Sequence, residues 1–195
     1  MRFSAALMAG GKSTRMGFDK CLIEVNGVPL WQRQLDLLGS LASEIFVVAP
    51  ERPAWVLDNA TWLKDLVQDQ GPIGGLAAAL AAAVNQNVII LAVDMPYMSP
   101  LFLRQMGTRI MPDSGIVPQI DAQYQPLSAI YNRETLSIIM DQLARGENSL
   151  QALSRVLIDR GLLRSFAVNP VERELFSNWN YPTDLTGRGI PGLAH

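Results

Sequence analysis

The chain has 195 residues, 49% of them hydrophobic and 17% charged, which is typical of one folded domain and excludes a largely disordered protein. Its formal net charge of -2, without a run of lysine or arginine, lacks the basic surface that binds nucleic acid or anionic lipid, so we expect neither partner. Cys21 is the only cysteine and no apolar run reaches the ~20 residues that span a bilayer, so we expect a cytoplasmic protein without disulfides.

Short apolar runs bounded by turn residues alternate with helical patterns along the chain, which predicts βαβ units and a mostly parallel sheet. The runs are continuous rather than alternating, as in strands that helices cover on both faces, so we expect an α/β fold with three layers. The predicted strands are Phe3–Ala9, Ile45–Ala49, Val88–Val93, Ser114–Val117 and Leu127–Tyr131. No repeat or linker interrupts the pattern, which predicts a single domain over residues 1–195 with a loose tail from about residue 186.

Apolar residues at helical spacing predict five helices between these strands. They are Leu30–Leu38, Ala77–Val84, Pro100–Thr108, Arg133–Ala144 and Leu150–Arg160. Ser99 is a suitable N-cap for the third, directly before a first-turn proline. Asn26-Gly27 predicts a tight turn, and Asp121-Ala122 predicts a hairpin that brings Ile116 and Ile130 together.

The loop from Met8 to Lys20 directly follows the first predicted strand. Gly10 and Gly11 let the backbone turn and direct successive N–H groups into one concavity, which suits phosphate oxygens. Arg15 and Lys20 can neutralise the phosphate charge. A solvated basic surface loop is the alternative, and the strand before the loop favours the phosphate site.

Two glycine motifs of other nucleotide-binding folds do not apply to this chain. A Walker A loop ending at Gly11-Lys12-Ser13 would need a glycine where the chain has Ala6. The spacing Gly187, Gly189, Gly192 matches a dinucleotide fingerprint, but no strand precedes it and no helix can follow. His195 is the only histidine, which excludes an internal histidine-based metal site or a Ser-His-Asp triad.

Asp94 follows the predicted strand Val88–Val93, at the strand end where open α/β sheets bind ligands. Magnesium prefers one or two carboxylates together with substrate phosphate oxygens, so an aspartate at this end suits a nucleotide-bound metal. A turn or a helix cap is the alternative. The phosphate-type loop elsewhere in the sequence favours the metal site.

Two weaker segments complete the candidates. Asp69 precedes Gly71-Pro72 at a helix start, where it can accept hydrogen bonds from a base or sugar, although turn formation explains the segment equally well. Asn178 and Asn180 would project to the same side of an extended backbone and meet one ligand. A turn that caps a short helix is the alternative there.

With these segments the chain resembles the molybdenum cofactor guanylyltransferases, a family of nucleotidyltransferases, over essentially its whole length. The matching segments are Ala9–Lys20, Asn26–Leu30, Gly71–Gly75, Asp94–Pro96 and Asn178–Asp184. The resemblance implies a Rossmann-like αβα sandwich that transfers GMP from GTP to the terminal phosphate of molybdopterin with Mg²⁺, releasing pyrophosphate. It also implies cofactor-delivery proteins and molybdoenzymes as partners.

The same resemblance implies roles for individual residues. The GTP-binding set would be Met8, Ala9, Gly10, Gly11, Lys20, Asp69 and Asp94. Asp94 resembles the residue shared by GTP and magnesium, and Arg15, Lys20 and Asp94 together would be the catalytic groups. Asn178 and Asn180 resemble the pair on the molybdopterin side.

The chain departs from the family pattern at Ala49-Pro50, where the family often has a guanine-contacting asparagine, and at Tyr181–Asp184, which is more often Thr-Pro-Glu-Asp. Relatives that transfer CMP usually carry alanine at the position of Gly10, so Gly10 favours guanine. The alternatives are CMP transfer to the same pterin and nucleotidyl transfer to a sugar phosphate. A further alternative is a non-catalytic nucleotide-binding accessory or chaperone of molybdoenzyme assembly, against which Lys20 and Asp94 argue.

Overall fold

The computed structural model describes residues 2–10, 20–56, 58–67 and 70–179. The strands in these residues are β1 (Phe3–Met8), β2 (Glu24–Val25), β3 (Val28–Pro29), β4 (Glu44–Val48), β5 (Thr61–Leu63), β6 (Asn87–Ala92), β7 (Gly115–Ile120), β8 (Gln123–Tyr124), β9 (Ser128–Asn132) and β10 (Leu163–Ala167). The α-helices are α1 (Leu30–Gly39), α2 (Pro72–Ala82), α3 (Pro100–Thr108), α4 (Leu136–Ala144) and α5 (Leu150–Asp159). Short 3-10 turns cover Lys20–Leu22, Arg133–Thr135 and Pro170–Phe176.

The central sheet has the strand order β10-β7-β9-β6-β1-β4-β5, with β8 paired to β7. β1 lies between β4 and β6 and pairs in parallel with both. Within the described residues only β8 and β9 run against the other strands of this sheet. The predicted mostly parallel sheet is therefore confirmed, with β9 as an antiparallel insertion between β6 and β7.

Helices cover both faces of the sheet, as the continuous apolar runs predicted. In β1, Ala5 and Leu7 belong to a core that includes buried residues of α1 and α3. Ala6 and Met8 face the other core, which includes α2, α4 and α5. Every residue of β6 is buried, because this strand lies under helices on both sides. The three-layer prediction is confirmed.

The predicted local signals hold in three places. Asn26 and Gly27 have φ of 54° and 76°, as a tight hairpin turn requires, and they join β2 to β3. Ile116 pairs with Ile130 in the antiparallel ladder. The Ser99 side chain accepts hydrogen bonds from two backbone N–H groups of α3, so it is the predicted N-cap.

The prediction was wrong for α2, which begins at Pro72 rather than Ala77. Its N-cap is Gly71, whose φ of +68° is a conformation that favours glycine. Gly75 then lies so close to the sheet that a Cβ atom would come within 2.8 Å of Val48 Cγ1. Glycine is therefore needed here for packing. Gly71-Pro72 did mark a helix start in the sequence, but the low helix propensity of glycine limited the predicted helix to Ala77 and beyond.

Strands β5 and β10 were not predicted. β5 has three residues, and β10 exposes Arg164, Ser165 and Ala167, so neither shows an apolar run. Both lie at the edges of the sheet. None of the helices in the described part of the chain is long and apolar enough to cross a membrane.

Candidate functional site at the carboxyl edge of the sheet

Backbone pairing continues one residue beyond the central strands at their carboxyl ends. Ala9 N–H donates to Val48 O at 2.9 Å, and Val93 N–H donates to Met8 O at 3.1 Å. The next residues, Gly10 and Asp94, therefore leave the sheet at the same edge. Ligands of open α/β sheets bind at this edge.

The structure places Lys20 and Asp94 together at this edge, although 74 positions separate them in the sequence. Lys20 Nζ lies 3.3 Å from Asp94 Oδ2, and the two side chains are 18% and 21% exposed. Cys21, buried in the core that includes α1, anchors the 3-10 turn that carries Lys20. The pair is therefore anchored to the core through Cys21 on one side and remains partly exposed to solvent on the other.

The chain segment that contains Asn178 is tied to the backbone of Asp94. Trp179 N–H donates to Asp94 O at 3.0 Å, and the Trp179 ring is buried and packs edge-on against Tyr97 with 5.9 Å between ring centroids. The Asn178 side chain is exposed next to this tie. A segment distant in sequence is therefore bonded to the Asp94 backbone, and Asn178 precedes the bonded residue.

Asp65 is a candidate that the sequence analysis missed. It follows β5, and its Oδ1 lies 3.0 Å from the point where a Gly75 Cβ would stand, a point also 2.7 Å from Met8 Cε. Burial raises the pKa of the Asp65 carboxyl above its usual value. Asp65 thus lies against Gly75 of α2, which also packs against Met8 and Val48 at the ends of β1 and β4, and its signal was hidden because β5 was not predicted.

Gly10 faces Ala49 and Pro50 across the edge. A Cβ atom on Gly10 would lie 3.5 Å from Pro50 Cδ and 3.9 Å from Ala49 Cα, which is ordinary van der Waals contact. Ala49 stands where the family often has a guanine-contacting asparagine, and Gly10 matches the relatives that transfer GMP. These two positions are therefore neighbours. An alanine at position 10 would fit against this wall without moving the backbone.

The candidate residues Gly11, Arg15, Asp69 and Asn180 lie outside the described residues, so their roles stay predictions. Among the described residues, no cluster of three or more His, Cys, Asp or Glu side chains forms a metal site. Asp94 offers a single carboxylate. That donor set fits Mg²⁺, which takes one or two protein carboxylates and completes its shell with substrate phosphates and water.

Comparisons with known proteins point to one family. The model of a protein family described as "MobA-like NTP transferase domain" matches residues 5–162. A relative from Syntrophotalea carbinolica named "Molybdenum cofactor guanylyltransferase" is 30% identical over 207 aligned positions, which cover 100% of this chain and 99% of the relative.

Solved structures share the fold at lower identity. "Molybdopterin-guanine dinucleotide biosynthesis protein A" from Archaeoglobus fulgidus has a TM-score of 0.72 and 22% identity, with 94% of this chain and 95% of that chain covered. "2-C-methyl-D-erythritol 4-phosphate cytidylyltransferase" from Thermus thermophilus has a TM-score of 0.69 and 17% identity, covering 95% and 96%. These similarities confirm the predicted Rossmann-like αβα sandwich.

Proposed function

The chain belongs to the family of MobA-like NTP transferases and is a nucleotidyltransferase, and from this premise we propose that it transfers GMP from GTP to the terminal phosphate of molybdopterin, releasing pyrophosphate. The observation that carries the proposal is the Lys20–Asp94 pair at 3.3 Å. It combines a phosphate-binding cation with a carboxylate at the ligand-binding edge of the sheet.

The reaction needs no protein base. A phosphate monoester has a second pKa near ~6, so the terminal phosphate of molybdopterin is mostly a dianion at neutral pH. One of its oxygens attacks the α-phosphorus of GTP in line, while the bond from that phosphorus to the bridging β-phosphate oxygen breaks. The protein's task is to align the two substrates and to neutralise charge.

Lys20 supplies the positive charge in this proposal. Its ammonium group lies against Asp94, at the edge where the triphosphate would enter, and it would donate hydrogen bonds to the phosphate oxygens. Arg15 would contribute a second cation from the loop. The backbone N–H groups of Gly10 and Gly11 would add contacts to the nucleotide, as the glycine-rich sequence predicts. Met8 and Ala9 would border the nucleotide where β1 ends, because the Ala9 N–H is already bonded to Val48 O.

Asp94 would hold Mg²⁺ together with phosphate oxygens of GTP. When bound, the ion neutralises charge on the phosphates and on the departing pyrophosphate. The Asp94 side chain is suited to this because it is partly exposed and because Lys20 contacts its Oδ2 atom. Oδ1 of Asp94 would therefore bind the ion while Lys20 orients the carboxylate through Oδ2.

Asp65 supports guanine as the base. Guanine presents two adjacent donors on one edge, the N1–H and the 2-amino group, and a carboxylate can accept both at once. Cytosine has no such adjacent pair of donors. Asp65 Oδ1 lies against Gly75, which also contacts Met8 and Val48 at the ends of β1 and β4, and this supports Asp65 as the acceptor; Asp69 would add a contact to the base or the ribose.

The molybdopterin side is proposed at Asn178 and Asn180. The hydrogen bond from Trp179 N–H to Asp94 O ties the residue after Asn178 to the main chain of Asp94, which supports this assignment. We propose the cytoplasm as the site of action, without a nucleic-acid or membrane partner. Cofactor-delivery proteins and molybdoenzymes would receive the product.

A pyrophosphate-release assay with molybdopterin tests the proposal. We expect turnover with GTP and Mg²⁺, little with CTP, ATP or UTP, and none when a sugar phosphate replaces molybdopterin. Faster turnover with CTP would make the chain a CMP-transferring relative. Nucleotide binding without pyrophosphate release under any of these conditions would favour the non-catalytic accessory role instead.

A further inference from the structure

The segment that follows Asp94 is irregular, and helix α1 holds it. Gln34 Nε2 donates to Met95 O at 2.6 Å inside the protein. Gln34 is only 2% exposed, so this is a buried polar contact between two parts of the chain 61 positions apart. The carbonyl that Gln34 binds belongs to the residue directly after Asp94.

Gln34 occupies this place at an energetic disadvantage. Its Oε1 atom is buried and has no hydrogen-bond partner within the described residues, and an unmade hydrogen bond on a buried acceptor is unfavourable. Exchanging the two ends of the amide would set Oε1 against the Met95 oxygen, two acceptors face to face. A leucine or methionine would fill the same core position without this cost, so the amide is explained by its bond to Met95 O.

Three consecutive carbonyl groups are tied in the same way. Asp94 O accepts from Trp179 N–H at 3.0 Å, Met95 O accepts from Gln34, and Pro96 O accepts from Arg33 Nη2 at 3.4 Å. Each of these three donors comes from a distant segment; Met95 O also accepts from the nearby Met98 N–H at 3.2 Å. The backbone that carries the Asp94 carboxylate is therefore held from both sides, and the Gln34 bond is the shortest of the three.

We propose that Gln34 is a positioning residue, which fixes the Asp94 carboxylate through the Met95 carbonyl and thereby sets the affinity of the site for a divalent cation with its triphosphate. This inference rests on the proposed function. Gln34 itself touches neither ion nor substrate in this proposal. Groups that orient a metal ligand commonly change metal affinity about 10- to 100-fold when they are removed.

The test compares two buried glutamines. Gln142 on α4 is 1% exposed, and its Oε1 atom also lacks a partner in the described part of the chain. Its neighbours Ile139 and Leu143 belong to the other core layer, away from the segment after Asp94. Gln34→Met and Gln142→Met therefore make the same chemical change at equal burial, with only one of them adjacent to Asp94.

The first measurement is the dissociation constant of Mn²⁺, read from the electron paramagnetic resonance signal of the free ion, with a non-hydrolysable GTP analogue present. We expect Gln34→Met to weaken Mn²⁺ binding about tenfold and Gln142→Met to leave it unchanged. Thermal unfolding should report similar losses of stability for both. In turnover assays, Gln34→Met should raise the Mg²⁺ concentration needed for half-maximal rate by the same factor.

Equal Mn²⁺ affinity in Gln34→Met and wild type would overturn the inference, as would an equal loss in Gln142→Met. If Gln34→Met does not fold, Gln34→Asn serves in its place, because it keeps the amide but withdraws it by one methylene from Met95 O. Asp94→Asn distinguishes failure of the proposed function from failure of the role of Gln34. If Asp94→Asn binds Mn²⁺ like wild type, the proposed function fails as well, whereas a loss there with normal binding in the Gln34 variants rejects only the role of Gln34.

Discussion

At the amino edge of the central sheet, polar side chains satisfy one another. The buried Ser4 Oγ donates to Glu44 Oε2 at 2.6 Å and accepts from Asn85 Nδ2 at 3.1 Å. Val84 N–H donates to the same Glu44 oxygen at 3.1 Å. At the carboxyl edge, the Lys20–Asp94 pair is longer, at 3.3 Å, and about one-fifth exposed.

The contrast indicates what each edge is for. The polar groups at the amino edge bond one another and offer no site for a ligand. Their role is structural, because they hold β1, β4 and the turn before β6 together. The carboxyl edge holds a cation and two carboxylates where solvent still reaches them, an arrangement suited to a charged substrate. Substitutions at the two edges should therefore separate activity from stability.

The largest effect is expected at Asp94. Asp94→Asn keeps the shape but removes the charge, so we expect kcat to fall on the order of 10²–10³-fold, the usual consequence of losing one preorganised electrostatic contact. Pyrophosphate release measures it. Asp121→Asn is the control, because Asp121 forms an exposed ion pair with Arg173. Near wild-type turnover in Asp94→Asn would remove the basis of the proposed function.

Asp65→Asn should weaken binding of the nucleotide rather than slow the chemical step. The amide would set its own N–H group against a guanine donor, so we expect the KM for GTP to rise about 10- to 100-fold, as when a charge-assisted hydrogen bond is lost. The KM for CTP should change little. Competition between the two nucleotides measures this. Equal changes for both would show that Asp65 does not contact the base edge.

Ser4→Ala should lower stability and leave activity unchanged, the reverse of what we expect at the carboxyl edge. It leaves the Asn85 backbone N–H without its acceptor and Glu44 without one donor, so we expect a loss of about 1–3 kcal/mol of unfolding free energy. Denaturant titration measures it. The kinetic constants of the folded variant should equal those of wild type. A substantial loss of kcat at unchanged stability would contradict the division between the two edges.

The smallest effect concerns pH. Because burial raises the pKa of Asp65 from 3.8, the folded state holds this proton more tightly than the unfolded state. The wild type should therefore lose stability relative to Asp65→Asn as pH rises from 3.8 through the folded pKa. Paired unfolding curves across this window test the sign. If the wild type instead gains stability relative to Asp65→Asn as pH rises, a nearby cation compensates the charge of the Asp65 carboxylate.

Much of the fold could be predicted because buried strands and their covering helices have clear apolar patterns. The missed elements lack such a pattern. β5 is too short and β10 too exposed, while the start of α2 depends on Gly75 fitting against Met8 and Val48, a tertiary requirement that propensity does not reveal.

The same limits apply to the site. Asp94 and Lys20 were recognisable because each adjoins a clear strand or a glycine-rich loop. Asp65 was not, since its meaning depends on a strand that was not predicted. Gln34 would be taken for a surface residue of an amphipathic helix, because polar residues in such a helix usually face solvent. Its partner, Met95 O, is a backbone atom, which leaves no trace in the sequence.

The hydrogen bond from Trp179 N–H to Asp94 O has a consequence for how the protein is made. A ribosome releases the carboxylate-bearing strand long before it polymerises residue 179, so the nascent polypeptide can assemble its parallel core while this part of the centre is still unfinished. Any fragment truncated before that tryptophan would lack one of the ties on Asp94. We therefore expect chains that end before this tryptophan to bind the nucleotide more weakly than the full chain.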